Sequence, residues 1–263
     1  MMQEARTLVT LEKTLGKYEV AVTICSDGDV IDFVERGNPG IILIDTLGHS
    51  KSVGEAMTDF LQKSIASGWG REGNAEEEFV YLGTTLASLR HGKKKEDSYE
   101  WHDSVSGIYC QLRQEAVYIT STGGITEPLL RKQKKDQWKQ LRREAEYLSL
   151  PLNCPGKLDD EYLIGRSPMH KVILENEDIL FLSSDGLLHN LAISLSKEKK
   201  FSIFSHHCLE LAELAIRSQL DNFNTADAKT IRDAINDSLN QYFLPKDRGD
   251  DDVTFAVIKK ILT

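Results

Sequence analysis

Four aspartates, Asp29, Asp45, Asp185 and Asp251, lie at the ends of segments that predict β-strands. Each segment has an apolar body, so we expect the four carboxylates to meet at one edge of a pair of sheets. Oxygen-only ligands suit Mg²⁺ or Mn²⁺, and no His/Cys cluster competes for the site. Two such ions bridged by shared carboxylates would lower the pKa of a bound water and place a hydroxide for in-line attack on phosphorus. The alternative is that these acids only cap turns.

The stretch Gly40–Ala56 shows how one of these acids, Asp45, is placed at the end of a predicted strand. An apolar run, Ile41–Ile44, predicts a strand that ends at Asp45, Gly48 breaks the strand pattern, and helical periodicity begins after Ser50. The residues before Asp29 alternate like a strand over Tyr18–Ile24, so we expect that strand and Ile41–Asp45 to be adjacent, as a hairpin.

The remaining chain alternates strand and helix patterns. We predict a helix over Lys51–Ser67 and two more over Leu209–Leu220 and Ile231–Tyr242, with Thr225 as the N-cap of the last. Lys132–Leu148 is predicted to be a helix, with a disordered insertion as the alternative. The predicted strands are Phe79–Leu89, Val105–Leu112, Ala116–Ser121, Val172–Leu174, Ile179–Leu182 and Val253–Leu262, the fourth and fifth forming a hairpin around Glu175–Asp178.

Composition narrows the class of protein. The absence of a Pro/Gly/Ser-rich linker predicts a single domain over residues 1–263, with a basic insertion at about residues 131–163. A net charge of −9 and a pI of about 5.3 argue against general nucleic-acid binding. No apolar run reaches the ~20 residues that a membrane span needs, and the N-terminus lacks a signal-peptide pattern, so a cytoplasmic protein without membrane attachment is expected.

A basic cluster interrupts this acidic chain. Its interpretation is open between a solvated surface helix and a docking surface for an acidic or phosphorylated partner. The cluster comprises Arg131, Lys132, Lys134, Lys135, Lys139, Arg142 and Arg143.

Four motifs in order resemble one family. They are G-D-x-x-D-F (Gly28–Phe33), D-x-x-G-H (Asp45–His49), S-D-G-L (Ser184–Leu187) and D-D-V-T (Asp251–Thr254). Together they are similar to the metal-dependent PPM phosphatases, related to protein phosphatase 2C, and above all to their SpoIIE-like bacterial serine phosphatase branch. The resemblance runs from about Glu12 to the C-terminus.

The resemblance implies a fold and a site. The fold is α+β, a four-layer α-β-β-α sandwich with two central antiparallel sheets and a dinuclear Mn²⁺ or Mg²⁺ site at one end of the sheets. Asp29 and Asp45 would contact or bridge both ions, Thr46 would ligate through its backbone carbonyl, and Asp185 and Asp251 would complete the second ion's shell. The nucleophile would be a metal-activated hydroxide, with no phospho-enzyme.

The implied activity is that of a bacterial protein serine/threonine phosphatase in signal transduction. Its substrate would be phosphoserine or phosphothreonine on a regulatory protein, in the family often a small antagonist of an anti-sigma factor. The competing hypothesis is a catalytically weak or inactive phosphoprotein-binding module on the same fold. The sequence leaves the oligomeric state open.

Two residue types near the motifs invite a catalytic interpretation. His49 is a candidate general acid for the leaving alkoxide, because its unperturbed pKa is near ~6.5, although a surface residue is the alternative. Ser183 and Ser184 lack a G-x-S-x-G turn and are not expected to be nucleophiles.

Overall fold

The computed structural model describes residues 8–26, 28–35, 39–46, 54–55, 58–59, 62–63, 105–122, 128–135, 137–141, 170–191, 206–222, 226–243 and 252–261. The chain divides into two compact units. The first comprises Met1–Ser26, Pro128–Gln140 and Leu174–Thr263, and the second comprises Asp27–Glu127 and Leu141–Ile173.

The first unit is built on a six-stranded antiparallel sheet. In spatial order its strands are β1 (Val9–Leu15), β2 (Tyr18–Cys25), β11 (Val253–Lys260), β10 (Ile179–Ser183), β7 (Leu129–Lys132) and β8 (Gln137–Gln140). The central strands β10 and β11 are buried along almost their whole length, as their continuous apolar sequences require.

Two helices belong to the first unit, α1 (His206–Asn222) and α2 (Ala228–Phe243). Their apolar residues, among them Ile216 and Ile231, share one core with Phe181 and Phe255 of the sheet, whose ring centroids lie 5.5 Å apart. In addition, the buried hydroxyl of Thr23 on β2 donates to the side-chain oxygen of Asn236 on α2, at 3.0 Å. The helices therefore stabilise the sheet by burying its apolar face.

The second unit contains a five-stranded antiparallel sheet. The spatial order is β3 (Val30–Val34), β4 (Gly40–Thr46), β5 (Val105–Leu112), β6 (Val117–Thr122) and β9 (His170–Val172). Residues 54–55, 58–59 and 62–63 are helical. Leu141 of this unit is buried in its hydrophobic interior.

Much of the predicted fold is confirmed. Two antiparallel sheets are present, and the strands at residues 18–25, 40–46, 105–112, 117–122, 179–183 and 253–260 and the helices at residues 206–222 and 228–243 lie where the patterns predict them. The short amphipathic start, residues 8–15, is strand β1. The four-layer arrangement and the single domain with its basic insertion stay predictions.

Two predicted hairpins are wrong. The strand Tyr18–Ile24 does not pair with Ile41–Asp45, because β2 and β4 belong to different sheets; a separate strand, β3, forms the hairpin with β4. Likewise β9 and β10, on either side of the turn at residues 175–178, pair with β6 in one sheet and with β7 and β11 in the other. Alternation along one strand does not specify its partner.

The predicted helix over Lys132–Leu148 is also wrong where the structure describes it. Residues 129–132 and 137–140 form the antiparallel pair β7–β8, and Gln133–Lys135 form a 3₁₀ turn after β7. The cause is tertiary, because Arg131 and Trp138 face each other across the pair and both bind Asp221 of α1. Thr225 lies outside the described residues, and α2 is capped instead by Asp227, whose carboxylate accepts the amide N–H of Thr230 at 2.7 Å.

The predicted strand Phe79–Leu89 lies outside the described residues as well. Among the helices that are described, none is both long and apolar enough to cross a bilayer.

Candidate metal centre

The β3–β4 hairpin brings Asp29 and Asp45 to the same end. In its antiparallel register Val30 pairs with Ile44, which is the last pair of the ladder, so Asp29 and Asp45 are the residues that follow this pair on the two chains. Asp29 is buried, with 6% of its surface exposed, whereas Asp45 is half-buried. Strand pairing alone therefore positions two of the predicted metal ligands together.

A close approach at Gly54 fixes this end of the hairpin. A Cβ atom at Gly54 would lie 2.8 Å from the carbonyl oxygen of Gly28, 2.8 Å from Cγ2 of Val30 and 3.2 Å from Cγ2 of Thr46. Such distances are too short for any side chain. The helical residues 54–55 thus pack directly on the backbone that carries Asp29.

Asp32 of β3 contacts another helical residue, Gln62. Its two carboxylate oxygens accept hydrogen bonds from the amide N–H of Phe33, at 2.7 Å, and from Nε2 of Gln62, at 3.0 Å. Gln62 Nε2 also donates to the carbonyl oxygen of Phe33, at 2.9 Å. Asp32 therefore links β3 to Gln62 through hydrogen bonds. These contacts agree with a structural role for Asp32 rather than with metal ligation.

Thr46, the predicted carbonyl ligand, is the last residue of β4 and is 2% exposed. Its side-chain oxygen Oγ1 is buried and has no hydrogen-bond partner among the residues that the structure describes. Successive side chains of a strand point to opposite faces, so this hydroxyl does not share a face with the Asp45 carboxylate; the oxygens that Mg²⁺ and Mn²⁺ prefer are offered here by the carboxylates of Asp29 and Asp45 and by the main chain. The residues present at this end of the hairpin fit a divalent cation.

In the first unit, Asp185 lies two residues after the end of β10 and opens the helical segment 185–191. The buried residue Ser184 ties this junction to the start of β11. Its hydroxyl donates to the carbonyl oxygen of Asp252, at 3.2 Å, and accepts from the amide N–H of Thr254, at 3.1 Å, while its own N–H donates to the Thr254 carbonyl, at 2.8 Å. Ser184 thus holds the residue before Asp185 to the start of β11.

His189 lies one helical turn after Asp185. The separation between Nδ1 of His189 and Oδ2 of Asp185 is 4.0 Å, and both side chains are partly exposed. On the opposite side of the same turn, Nδ2 of Asn190 donates to the carbonyl oxygen of Gly186, at 2.9 Å. The segment therefore presents a carboxylate and an imidazole next to each other.

Two of the predicted site residues, His49 and Asp251, lie outside the described residues. Within the described ranges, no group of three or more His, Cys, Asp or Glu side chains is close enough to hold a metal ion. The ligand set as a whole stays a prediction. Asp29 with Asp45 and Asp185 with His189 are the pairs that the structure places together.

The sequence interpretation missed the contacts that three residues make beside the candidate ligands: Gly54, Ser184 and His189. The i, i+4 spacing of Asp185 and His189 after a predicted strand could have identified the last. The other two depend on a close backbone approach and on a hydrogen bond across 70 residues, which a sequence pattern does not reveal.

Part of the basic cluster serves the fold instead of a docking surface. Arg131 is 4% exposed and its Nε donates to Oδ1 of Asp221 at 2.5 Å, while Lys132 pairs with the buried Asp178 at 2.6 Å. Trp138 Nε1 donates to the other oxygen of Asp221, at 3.1 Å. Lys134 is exposed and pairs with Glu175, which lowers the pKa of that carboxyl. The docking interpretation is therefore wrong for the buried Arg131, and it stays a prediction for the partly exposed Lys132.

Searches with the sequence find no matching family model and no matching curated protein. Solved structures do match. RsbX in complex with magnesium has a TM-score of 0.59 at 13% identity and is covered over 100% of its chain by 96% of this one. The RsbU and RsbW domains of Rv1364c from Mycobacterium tuberculosis have a TM-score of 0.65 at 14% identity, with 97% of this chain covering 63% of that one.

A third match is the PP2C phosphatase domain with a fragment of the regulatory domain of SpoIIE, a cell fate determinant from Bacillus subtilis. Its TM-score is 0.61 at 12% identity, and 96% of this chain covers 64% of that one. The chain thus spans all of one similar structure and somewhat under two thirds of the other two. This chain therefore has the fold of the PP2C-type phosphatases.

Proposed function

We propose that this chain is a divalent-metal-dependent protein phosphatase that hydrolyses phosphoserine or phosphothreonine on a regulatory protein. The observation that carries the proposal is the β3–β4 register, which brings Asp29 and Asp45 to one end of a hairpin in a chain with the PP2C fold. Two neighbouring carboxylates, one of them buried, attract a divalent cation because its charge offsets their mutual repulsion.

The proposed ligands of two Mn²⁺ or Mg²⁺ ions are Asp29, Asp45, Asp185, Asp251 and the backbone carbonyl of Thr46. All are oxygen donors, which suits either ion, and one of the similar structures, RsbX, contains magnesium. When bound, the ions supply the positive charge that makes a water acidic and stabilises charge on the phosphoryl oxygens.

The side chains of this protein have separate tasks in the proposed reaction. Asp29 and Asp45 hold charge at the hairpin end, and their placement is preorganised by strand pairing and by the packing at Gly54. Ser184 keeps Asp185 in place. His49 is proposed to donate the proton that the departing serine or threonine oxygen needs.

The proposed substrate is a small regulatory phosphoprotein, with an anti-sigma factor antagonist as the specific candidate. Support comes from the similar structures, which include RsbX, a protein with RsbU and RsbW domains, and SpoIIE with part of its regulatory domain. Each of these is similar to this chain at the level of the fold.

Hydrolysis of p-nitrophenyl phosphate by purified protein tests the proposal. Activity is expected with Mg²⁺ or Mn²⁺, none with EDTA, and none in Asp45→Ala or Asp185→Asn. Asp185→Asn removes one ligand charge with almost no change in volume, so its unfolding temperature should match that of the wild type. Folded protein without activity under every metal condition would overturn the proposal and favour the phosphoprotein-binding module.

A further inference from the structure

The pair formed by Asp185 and His189 differs in chemistry from the other proposed ligands. Every proposed ligand is an oxygen donor, whereas the side chain one turn along the helical segment 185–191 offers an imidazole nitrogen. Its Nδ1 lies 4.0 Å from Oδ2 of Asp185. Both groups are partly exposed, so a cation from solution can reach them.

That separation lets the two atoms become neighbouring ligands of one ion after a small rotation of the side chains. Neighbouring ligands of an octahedral ion with bonds of about 2.1 Å lie about 3 Å apart, so the two atoms need to approach by about 1 Å. The i, i+4 spacing keeps the two side chains on one face of the helix, as it does for paired ligands on metalloprotease helices. Both side chains can therefore bind one ion while the backbone stays helical.

We propose that His189 is a nitrogen ligand to the divalent ion held by Asp185, and that it makes this position selective for Mn²⁺ over Mg²⁺. This inference rests on the proposed function for the presence of an ion at Asp185. Mg²⁺ takes oxygen ligands almost exclusively and holds its waters tightly, whereas transition metals accept imidazole. Replacing an oxygen or water ligand by the His189 nitrogen therefore favours Mn²⁺.

Electron spin echo spectroscopy of Mn²⁺ bound to the full chain tests this inference. A nitrogen-14 coupling is expected for the wild type and for the matched control His206→Gln, whose histidine lies on α1. The coupling should be lost in His189→Gln and in His189→Asp. His189→Asp replaces the nitrogen donor by an oxygen donor, so Mn²⁺ should still bind and the loss of coupling cannot be attributed to an empty site.

Equilibrium titration gives the second readout. His189→Gln should weaken Mn²⁺ binding by at least the roughly tenfold that even an outer-shell partner contributes to metal affinity, and should leave Mg²⁺ affinity unchanged. A nitrogen coupling that survives in both His189 variants, or Mn²⁺ and Mg²⁺ affinities that fall together, would overturn the role of His189. A wild-type protein that binds Mg²⁺ but not Mn²⁺ would also overturn the role of His189, whereas a wild-type protein that binds neither ion would overturn the proposed function itself.

Discussion

The two regions that carry the proposed ligands are held by different kinds of interaction. At the β3–β4 hairpin, backbone pairing brings Asp29 and Asp45 to one end, and the missing side chain of Gly54 lets helical residues pack on the same backbone. At the β10–β11 end, one buried hydroxyl, that of Ser184, joins the junction before Asp185 to residues 252 and 254. The first arrangement is a property of the backbone and the second depends on a side chain.

This difference predicts how each region fails. A change in the hairpin region must move backbone atoms, because the obstacle to a side chain at Gly54 is the carbonyl oxygen of Gly28. A change at Ser184 leaves two backbone groups without the hydroxyl that they share. We therefore expect larger effects from the hairpin region.

Gly54→Val should give the largest loss. Overpacking of this kind costs about 1–3 kcal/mol, and the value should fall at the upper end because backbone cannot rotate away as a side chain can. Denaturant unfolding measures the stability, and metal-dependent hydrolysis should fall with it. Glu55→Ala, at the exposed neighbouring residue, is the control and should be close to wild type. Equal stability of the two variants would contradict the close packing.

Ser184→Ala tests the β10–β11 region, with the adjacent Ser183 as the site of the control. The variant removes a buried hydroxyl with two partners, and the expected loss is about 1–3 kcal/mol. Ser183→Ala is the matched control, since the Ser183 hydroxyl is equally buried but has no hydrogen-bond partner among the described residues. Its removal should be nearly neutral in the same unfolding experiment. Similar losses of stability in both variants would contradict a stabilising role for the two hydrogen bonds of the Ser184 hydroxyl.

The N-cap of α2 provides the smallest effect and a pH dependence. The amide N–H of Thr230 holds the pKa of Asp227 below its ordinary value. The charged cap therefore contributes stability above the unfolded-state pKa of about 3.9, and this contribution is lost as the pH falls through the lower folded-state value.

Asp227→Ala should cost about 1 kcal/mol at neutral pH, whereas Asp227→Asn, which keeps a capping oxygen, should cost less. Thermal unfolding at several pH values measures both. The deficit of Asp227→Asn should shrink as the solution is acidified. A deficit that grows on acidification would contradict the assigned cap.

The sequence predicted the positions of strands and helices better than it predicted which strands pair with each other. The apolar bodies of β4, β10 and β11 and the periodicity of both helices are strong local signals, and the acids at their ends pointed to a metal site. The pairing of β9 with β6, by contrast, depends on contacts far apart in the chain. The same holds for residues 132–140, where helical propensity gave way to a strand pair bound to Asp221.

In the candidate site, too, some residues could be found from local sequence and others only from long-range contacts. Asp29, Asp45 and Asp185 were found from their place after apolar runs, which is local information. Gly54 and Ser184 act through contacts with residues that are distant in sequence, and only the folded chain identifies them.

Titration of Mn²⁺ into Asp45→Asn and Asp32→Asn tests the central claim most directly. Both substitutions neutralise one acid of the same hairpin, but Asp45 is a proposed ligand and Asp32 is bound to Gln62. The account predicts Mn²⁺ affinity at least about tenfold weaker in Asp45→Asn, and near the wild-type value in Asp32→Asn. Wild-type affinity in Asp45→Asn, or an equal loss in both variants, would contradict a metal centre at the end of this hairpin.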